Sequence, residues 1–175
     1  MINLLRLIHL HFDITLEKEI RILLDKSLSL EPEELAIYIY RLQNEIINIY
    51  GEDRGDILYA LSYIQRMYTQ IEIYYSAKIG ENFKIVHGLG TVIGARVKIG
   101  NNVTIYQNVT IGDNGDNSGR PRIASNVIVY AGAKIIGNVD IGENSIIGAN
   151  SLVRNSFPCD SVIVGIPAKL VSKKS

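Results

Sequence analysis

The feature that most restricts how this chain can fold is a six-residue period. Aliphatic residues stand at Ile73, Ile79, Ile85, Ile93, Ile99, Ile105, Ile111, Ile123, Val129, Ile135, Ile141, Ile147 and Val153. The next residue is often small, as at Gly80, Gly94, Gly100, Ala124 and Gly142, and four steps after the aliphatic comes another modest side chain, as at Ala77, Val97, Val103, Val127 and Ala133. An α-helix repeats every 3.6 residues and a half-buried strand every two, so period six is neither. It predicts a parallel β-helix with three short faces per coil. Each repeat turns its aliphatic residue inward, and stacked coils share one continuous apolar column. The small residue sits at the corner, where the backbone bends and a Cβ is costly. No coil can bury its own apolar residues, so several must stack. Thirteen repeat starts give more than four coils.

Two places disturb the register. Two extra residues enter near Gly90 to Val92, and a twelve-residue step separates Ile111 from Ile123. The longer step holds Asp113 to Arg122, a run of Gly, Asn and Asp that reads as an extruded loop.

Glycine marks a second boundary. Of 15 glycines only Gly51 and Gly55 precede residue 73. Residues 16–28 carry Leu16, Ile20, Leu23, Leu24 and Leu28 at helical steps. Pro32 suits a first helical position, with Glu31, Glu33 and Glu34 at the positive end of the dipole, and that helix is expected to end near Tyr50 at Gly51. A further helix is predicted from about Asp56 to Thr69, apolar on more than one side and therefore expecting neighbours. The domain division read from this is a helical N-terminal subdomain over 1–72 and a β-helix over 73–175.

Composition excludes several functions. Lys plus Arg and Asp plus Glu each total 18, so the basic excess of a nucleic-acid binder is missing. One cysteine, Cys159, excludes a disulfide framework and a Cys-rich zinc module, and makes the cytoplasm the default location. No apolar run approaches the roughly 18 residues of a membrane span. The apolar start, residues 1–12, is interrupted by Arg6, His9 and His11 and reads as a helix rather than a signal segment.

The repeat pattern resembles the hexapeptide-repeat acyltransferases, whose coils wind left-handed and assemble as trimers. The stretches Ala77-Lys78-Ile79-Gly80, Val86-His87-Gly88, Val109-Thr110-Ile111-Gly112, Pro121-Arg122-Ile123 and Gly132 to Val139, with the ending Val164-Gly165-Ile166-Pro167-Ala168-Lys169-Leu170-Val171, look like the catalytic domain of serine O-acetyltransferases. The short helical part looks most like the exopolysaccharide and colanic-acid acetyltransferase branch. The resemblance implies a mainly β fold, a left-handed parallel β-helix with an α-helical subdomain, and a homotrimer that can pair into a dimer of trimers. It also implies acetyl-CoA as acyl donor and no metal.

Acyl transfer to a hydroxyl needs a base for the hydroxyl proton, and histidine has a suitable pKa. The chain has three histidines, and His87 alone lies among the repeats, where the resemblance places the base. The resemblance puts Glu72 at the position of its orienting carboxylate. It puts the donor's pantetheine arm against Gly112, Ala131, Gly132, Gly148 and Ala149, with Lys169 near the nucleotide phosphates. Val86 stands where serine acetyltransferases carry an aspartate that contacts the amino acid, and Arg120 where they carry a second histidine. Valine cannot pair an ammonium, whereas a guanidinium at Arg120 suits a carboxylate or phosphate on the acceptor. The expected function is therefore acetyl transfer to a sugar or polysaccharide hydroxyl. Serine O-acetylation is the alternative enzyme reading, and a β-helix assembly scaffold the non-enzymatic one. A carbonic-anhydrase-like zinc site is excluded, because it needs three histidines at one metal.

Overall fold

The structure, a computed structural model, describes residues 30–115 and 119–173. The predicted helix over 16–28 and the apolar start over 1–12 lie outside the described residues. The chain divides into two units, Met1–Glu31 and Pro32–Ser175, and the second contains both helices described here and all the coils.

Short parallel strands wind into a left-handed β-helix of about four coils. The first face stacks Glu72–Ile73, Val92–Ile93, Thr110–Gly112, Lys134–Ile136 and Leu152–Val153. The second stacks Lys78–Ile79, Lys98–Ile99, Arg122–Ile123 and Asp140–Ile141. The third stacks Lys84–Val86, Thr104–Tyr106, Ile128–Val129, Ile146–Ile147 and Ser161–Gly165, and ends in the antiparallel strand Ala168–Lys173.

The register is the one the period requires. Ile73, Ile93, Ile111, Ile135 and Val153 pair in sequence on the first face, and Ile79, Ile99, Ile123 and Ile141 on the second. On the third, Ile85, Ile105, Val129, Ile147 and Ile163 do the same. These side chains are buried, and with Val97, Val103, Val109, Val127 and Ala133 they form a single core. At the corner after the second face the backbones of adjacent coils nearly touch: a Cβ on Gly142 would lie 2.3 Å from the Cys159 nitrogen. Two residues on, each coil turns through a left-handed residue, Asn82, Asn102, Asn126, Asn144 and Asp160, with φ between 52° and 61°. Asparagine tolerates that conformation better than most residues. Their side chains form a hydrogen-bonded ladder, each amide donating to the next oxygen at 3.0 to 3.2 Å.

Both helices cap the open edge of the first coil. Helix α1, Pro32–Tyr50, buries Leu35, Ala36, Ile39, Tyr40, Leu42 and Ile46 at three- and four-residue steps. A 3₁₀ turn, Gly51–Arg54, leads into helix α2, Gly55–Thr69. An uncovered edge strand exposes backbone groups that invite pairing with another chain. Here Tyr40 donates its hydroxyl to the Ala77 carbonyl at 2.8 Å and accepts from the Ile79 N–H at 3.2 Å. Arg41 donates to the Ile79 and Gly80 carbonyls, and Gln65 Oε1 accepts from the Ile73 N–H at 2.8 Å. The neighbours expected for α2 cover only one side, leaving Tyr59, Tyr63, Met67 and Tyr68 exposed. No helix among the described residues is long and apolar enough to cross a membrane.

Two stability measurements follow. Ile135 is fully buried at mid-column, so Ile135→Ala should lower the unfolding free energy by about 2–5 kcal/mol in a denaturant titration. Tyr40→Phe leaves the Ile79 N–H without its acceptor, a loss of about 1–3 kcal/mol. Burial also raises the Tyr40 pKa above the ordinary tyrosine value of 10.0. The folded chain therefore holds this proton when the unfolded chain has lost it, so its contribution is complete below pH 10 and falls as pH rises further. Tyr40→Phe should make that alkaline decline shallower.

Candidate active site

His87 follows the strand Lys84–Val86, at the corner where the third face turns into the first. The two-residue register break is located here. Five residues, His87 to Thr91, join Val86 to Val92, whereas three, Gln107 to Val109, make the same corner one coil later. The longer corner begins with His87 in the left-handed region, φ 53°. Only a few per cent of residues other than glycine adopt that conformation. Its imidazole is exposed, while Gly88 beside it is buried: a Cβ there would lie 2.4 Å from Ile71 Cδ1. The corner is thus locked from within and presents its histidine outward.

The register continues past this corner. Val86 pairs with Tyr106, and the Thr104–Ile128 and Ile128–Ile146 pairings carry that row to Tyr130 and Gly148. One residue further on, the row runs from His87 through Gln107 and Ala131 to Ala149. The Gly132 N–H donates to the Gln107 carbonyl and the Asn150 N–H to the Ala131 carbonyl, each at 2.9 Å, which holds these coils in step. Tyr106 and Tyr130 stack at 5.2 Å in the neighbouring row. Four of the residues nominated from the sequence, Ala131, Gly132, Gly148 and Ala149, therefore lie along one edge with His87 in the first coil above them. Lys169 pairs in register with Val164, one coil below Gly148, and is exposed.

Gly112 and Arg120 belong to a different corner, the one from the first face to the second. Gly112 ends the strand Thr110–Gly112, and the loop leaves from there. Arg120 closes the loop by an ion pair with Asp113 at 2.5 Å and a 3.0 Å bond to the Gly119 carbonyl. Its side chain is only 14% exposed, so it is part of an ordered loop root. Glu72 starts the first face one coil edge from His87, yet its carboxylate is joined to Arg66 of α2 at 3.2 Å rather than to the imidazole. A cavity of about 180 Å³ opens beside this pair, lined also by Tyr59, Ser62, Tyr74 and Tyr75.

One side chain at this corner was not visible in the sequence. Glu33, in the first turn of α1, accepts the Gly88 N–H through Oε1 at 2.8 Å. The two residues are 55 positions apart, and neither repeat pattern nor helix pattern links them. Among the described residues, no three His, Cys, Asp or Glu side chains gather as metal ligands.

Residues 120–155 match the model of the bacterial transferase hexapeptide, six repeats. The chain is 46% identical over 127 residues to a serine acetyltransferase of Staphylococcus aureus, covering 71% of this chain and 60% of that protein. It is 45% identical over 113 residues to one of Synechococcus elongatus, covering 63% and 46%. Among solved structures, it is similar to serine acetyltransferase from Brucella abortus in complex with coenzyme A, with a TM-score of 0.76 and 32% identity over 82% of this chain and 57% of that one. The enzyme of Neisseria gonorrhoeae in complex with serine gives 0.76 and 30%, over 85% and 60%. The chain thus spans about half to three-fifths of the length of these relatives. A match of 127 residues in a chain of 175 necessarily contains His87.

These relatives overturn the expectation of a sugar or polysaccharide hydroxyl as acceptor, and with it a place in polysaccharide biosynthesis. That expectation rested on the short helical part and on Val86 and Arg120. The physical flaw is that a missing carboxylate at position 86 does not make the corner neutral, because Glu33 brings one to Gly88 from another element.

The Asp113–Arg120 pair generates a test of the loop root. Asp113→Asn removes the ion pair while keeping the side-chain shape, and limited proteolysis should then cut within 113–120 faster than in the parent chain, with the coils unaffected.

Proposed function

We propose that the chain is an acetyl-CoA-dependent O-acetyltransferase whose acceptor is the hydroxyl of L-serine. The observation that supports it best is the position of His87, which heads the edge carrying Gln107, Ala131 and Ala149 and lies within a stretch 46% identical to a serine acetyltransferase. In this reading the His87 imidazole takes the hydroxyl proton as the serine oxygen attacks the thioester carbonyl. Collapse of the tetrahedral intermediate breaks the carbon–sulfur bond, and the imidazolium returns its proton to the departing thiolate. The products are O-acetylserine and free CoA.

The pantetheine arm lies along Ala131, Gly132, Gly148 and Ala149, where the absence of bulk lets a ligand approach backbone amides. Lys169 meets the nucleotide phosphates at the far end. Glu72 orients the imidazole by turning from Arg66 to the ring, an exchange made cheap because the ion pair is a third or more exposed. Gly112 and Arg120 sit on another corner of the same chain, so Gly112 approaches this acetyl-CoA, and Arg120 the acceptor's carboxylate, from a neighbouring subunit. That requires the homotrimer. The cytoplasm is the proposed location, in keeping with a single cysteine, Cys159.

Release of free CoA from acetyl-CoA in the presence of L-serine is the test. The parent chain should turn over, His87→Ala should lose about 10²- to 10⁴-fold in kcat, and Glu72→Gln should lose less. Light scattering should give three times the chain mass, or six. Absence of serine-dependent CoA release, or full activity in His87→Ala, would refute the reading.

A further inference from the structure

The serine reading leaves the amino group of the acceptor without a partner. An α-amino acid at neutral pH carries an ammonium, and desolvating it against uncharged groups is costly. The residue preceding His87 is Val86, which offers no charge. The site must therefore draw its anion from elsewhere, or discriminate poorly between serine and other hydroxyl compounds.

We infer that Glu33 is that anion, and that it binds the ammonium of the acceptor and sets the preference for an amino acid. The inference rests on the serine reading above. Glu33 Oε1 is held by the Gly88 N–H at 2.8 Å, one residue along from His87. That is its single hydrogen bond among the described residues, which leaves Oε2 able to accept from a ligand. The carboxylate is half-buried, so a cation beside it is screened less than at an open surface. It is also fixed in place: α1 is anchored to the first coil by Tyr40, Arg41 and the buried Ala36, and Glu33 lies on the opening turn of that helix. Glu72, the other carboxylate near this corner, is paired with Arg66 and in the serine reading serves the imidazole. The two histidine-side demands are thereby divided between two acids, Glu33 for the substrate's charge and Glu72 for the imidazole.

A purely structural role would be to cap the Gly88 N–H on the open edge of the coil. Glu33→Gln separates the two, because the amide oxygen can still accept from Gly88 while the negative charge is lost. The measurement is kcat and KM for CoA release with L-serine and with 3-hydroxypropionate, which keeps the hydroxyl and carboxylate but lacks the ammonium, in the parent chain and in Glu33→Gln. The expected result is a loss of about 10- to 100-fold in kcat/KM for L-serine, mainly through KM, as for removal of a charged hydrogen-bond partner. Turnover of 3-hydroxypropionate should be unchanged or improved. The thermal midpoints should agree between the two proteins.

Equal losses with both acceptors would overturn the inference in favour of the structural cap, and so would no loss with either. Failure of the parent chain to use L-serine would remove the serine reading itself, and this inference with it. That outcome is distinguished by being seen before any substitution is made.

Discussion

Every functional position in this protein depends on coils stacking in step. Parallel hydrogen bonds join each coil to the next, and the inward aliphatics then fall one above another, Ile73 on Ile93 on Ile111 on Ile135 on Val153. A slip of one residue would turn each of those side chains outward. The apolar column therefore fixes the register, and the register fixes what lies on the outside. That is how His87, Ala131 and Ala149, far apart in sequence, come to share one edge.

The ends of the column create the second constraint. A solenoid cannot close on itself, so its first coil needs partners for its backbone. Helices α1 and α2 provide them through Tyr40, Arg41 and Gln65. The same requirement brings Glu33 to Gly88 and Arg66 to Glu72. Capping the edge and furnishing the histidine corner with charge are therefore one piece of architecture. The histidine corner lies in the first coil, the coil that the helices cover.

Much of this was legible in the sequence because the period is a local signal that repeats. The three faces, the inward residues, the corner glycines, the break at His87 and the loop after Gly112 all follow from spacing. Helix α1 was legible from Pro32 and Gly51. The recurrent asparagines were also in the sequence, at the positions where each coil turns left-handed, but their ladder only becomes evident once the coils are stacked. What spacing could not supply was any contact between the helices and the coils. The Glu33–Gly88 bond and the Arg66–Glu72 pair cross between two kinds of periodicity, and neither pattern predicts the other's register. The acceptor was misjudged for that reason. The acceptor's surroundings are read in the sequence from the short helical part, from Val86 and from Arg120, which sits at another corner, while a charge from α1 lies beside His87.

The account's central claim is that the row headed by His87 is where the acyl donor lies. Determining the crystal structure of the chain with coenzyme A bound would test it most directly. The account predicts the thiol at His87, with the pantetheine arm running past Ala131 and Ala149 toward Lys169. Coenzyme A bound with its thiol away from His87, or along a different corner of the coils, would contradict it.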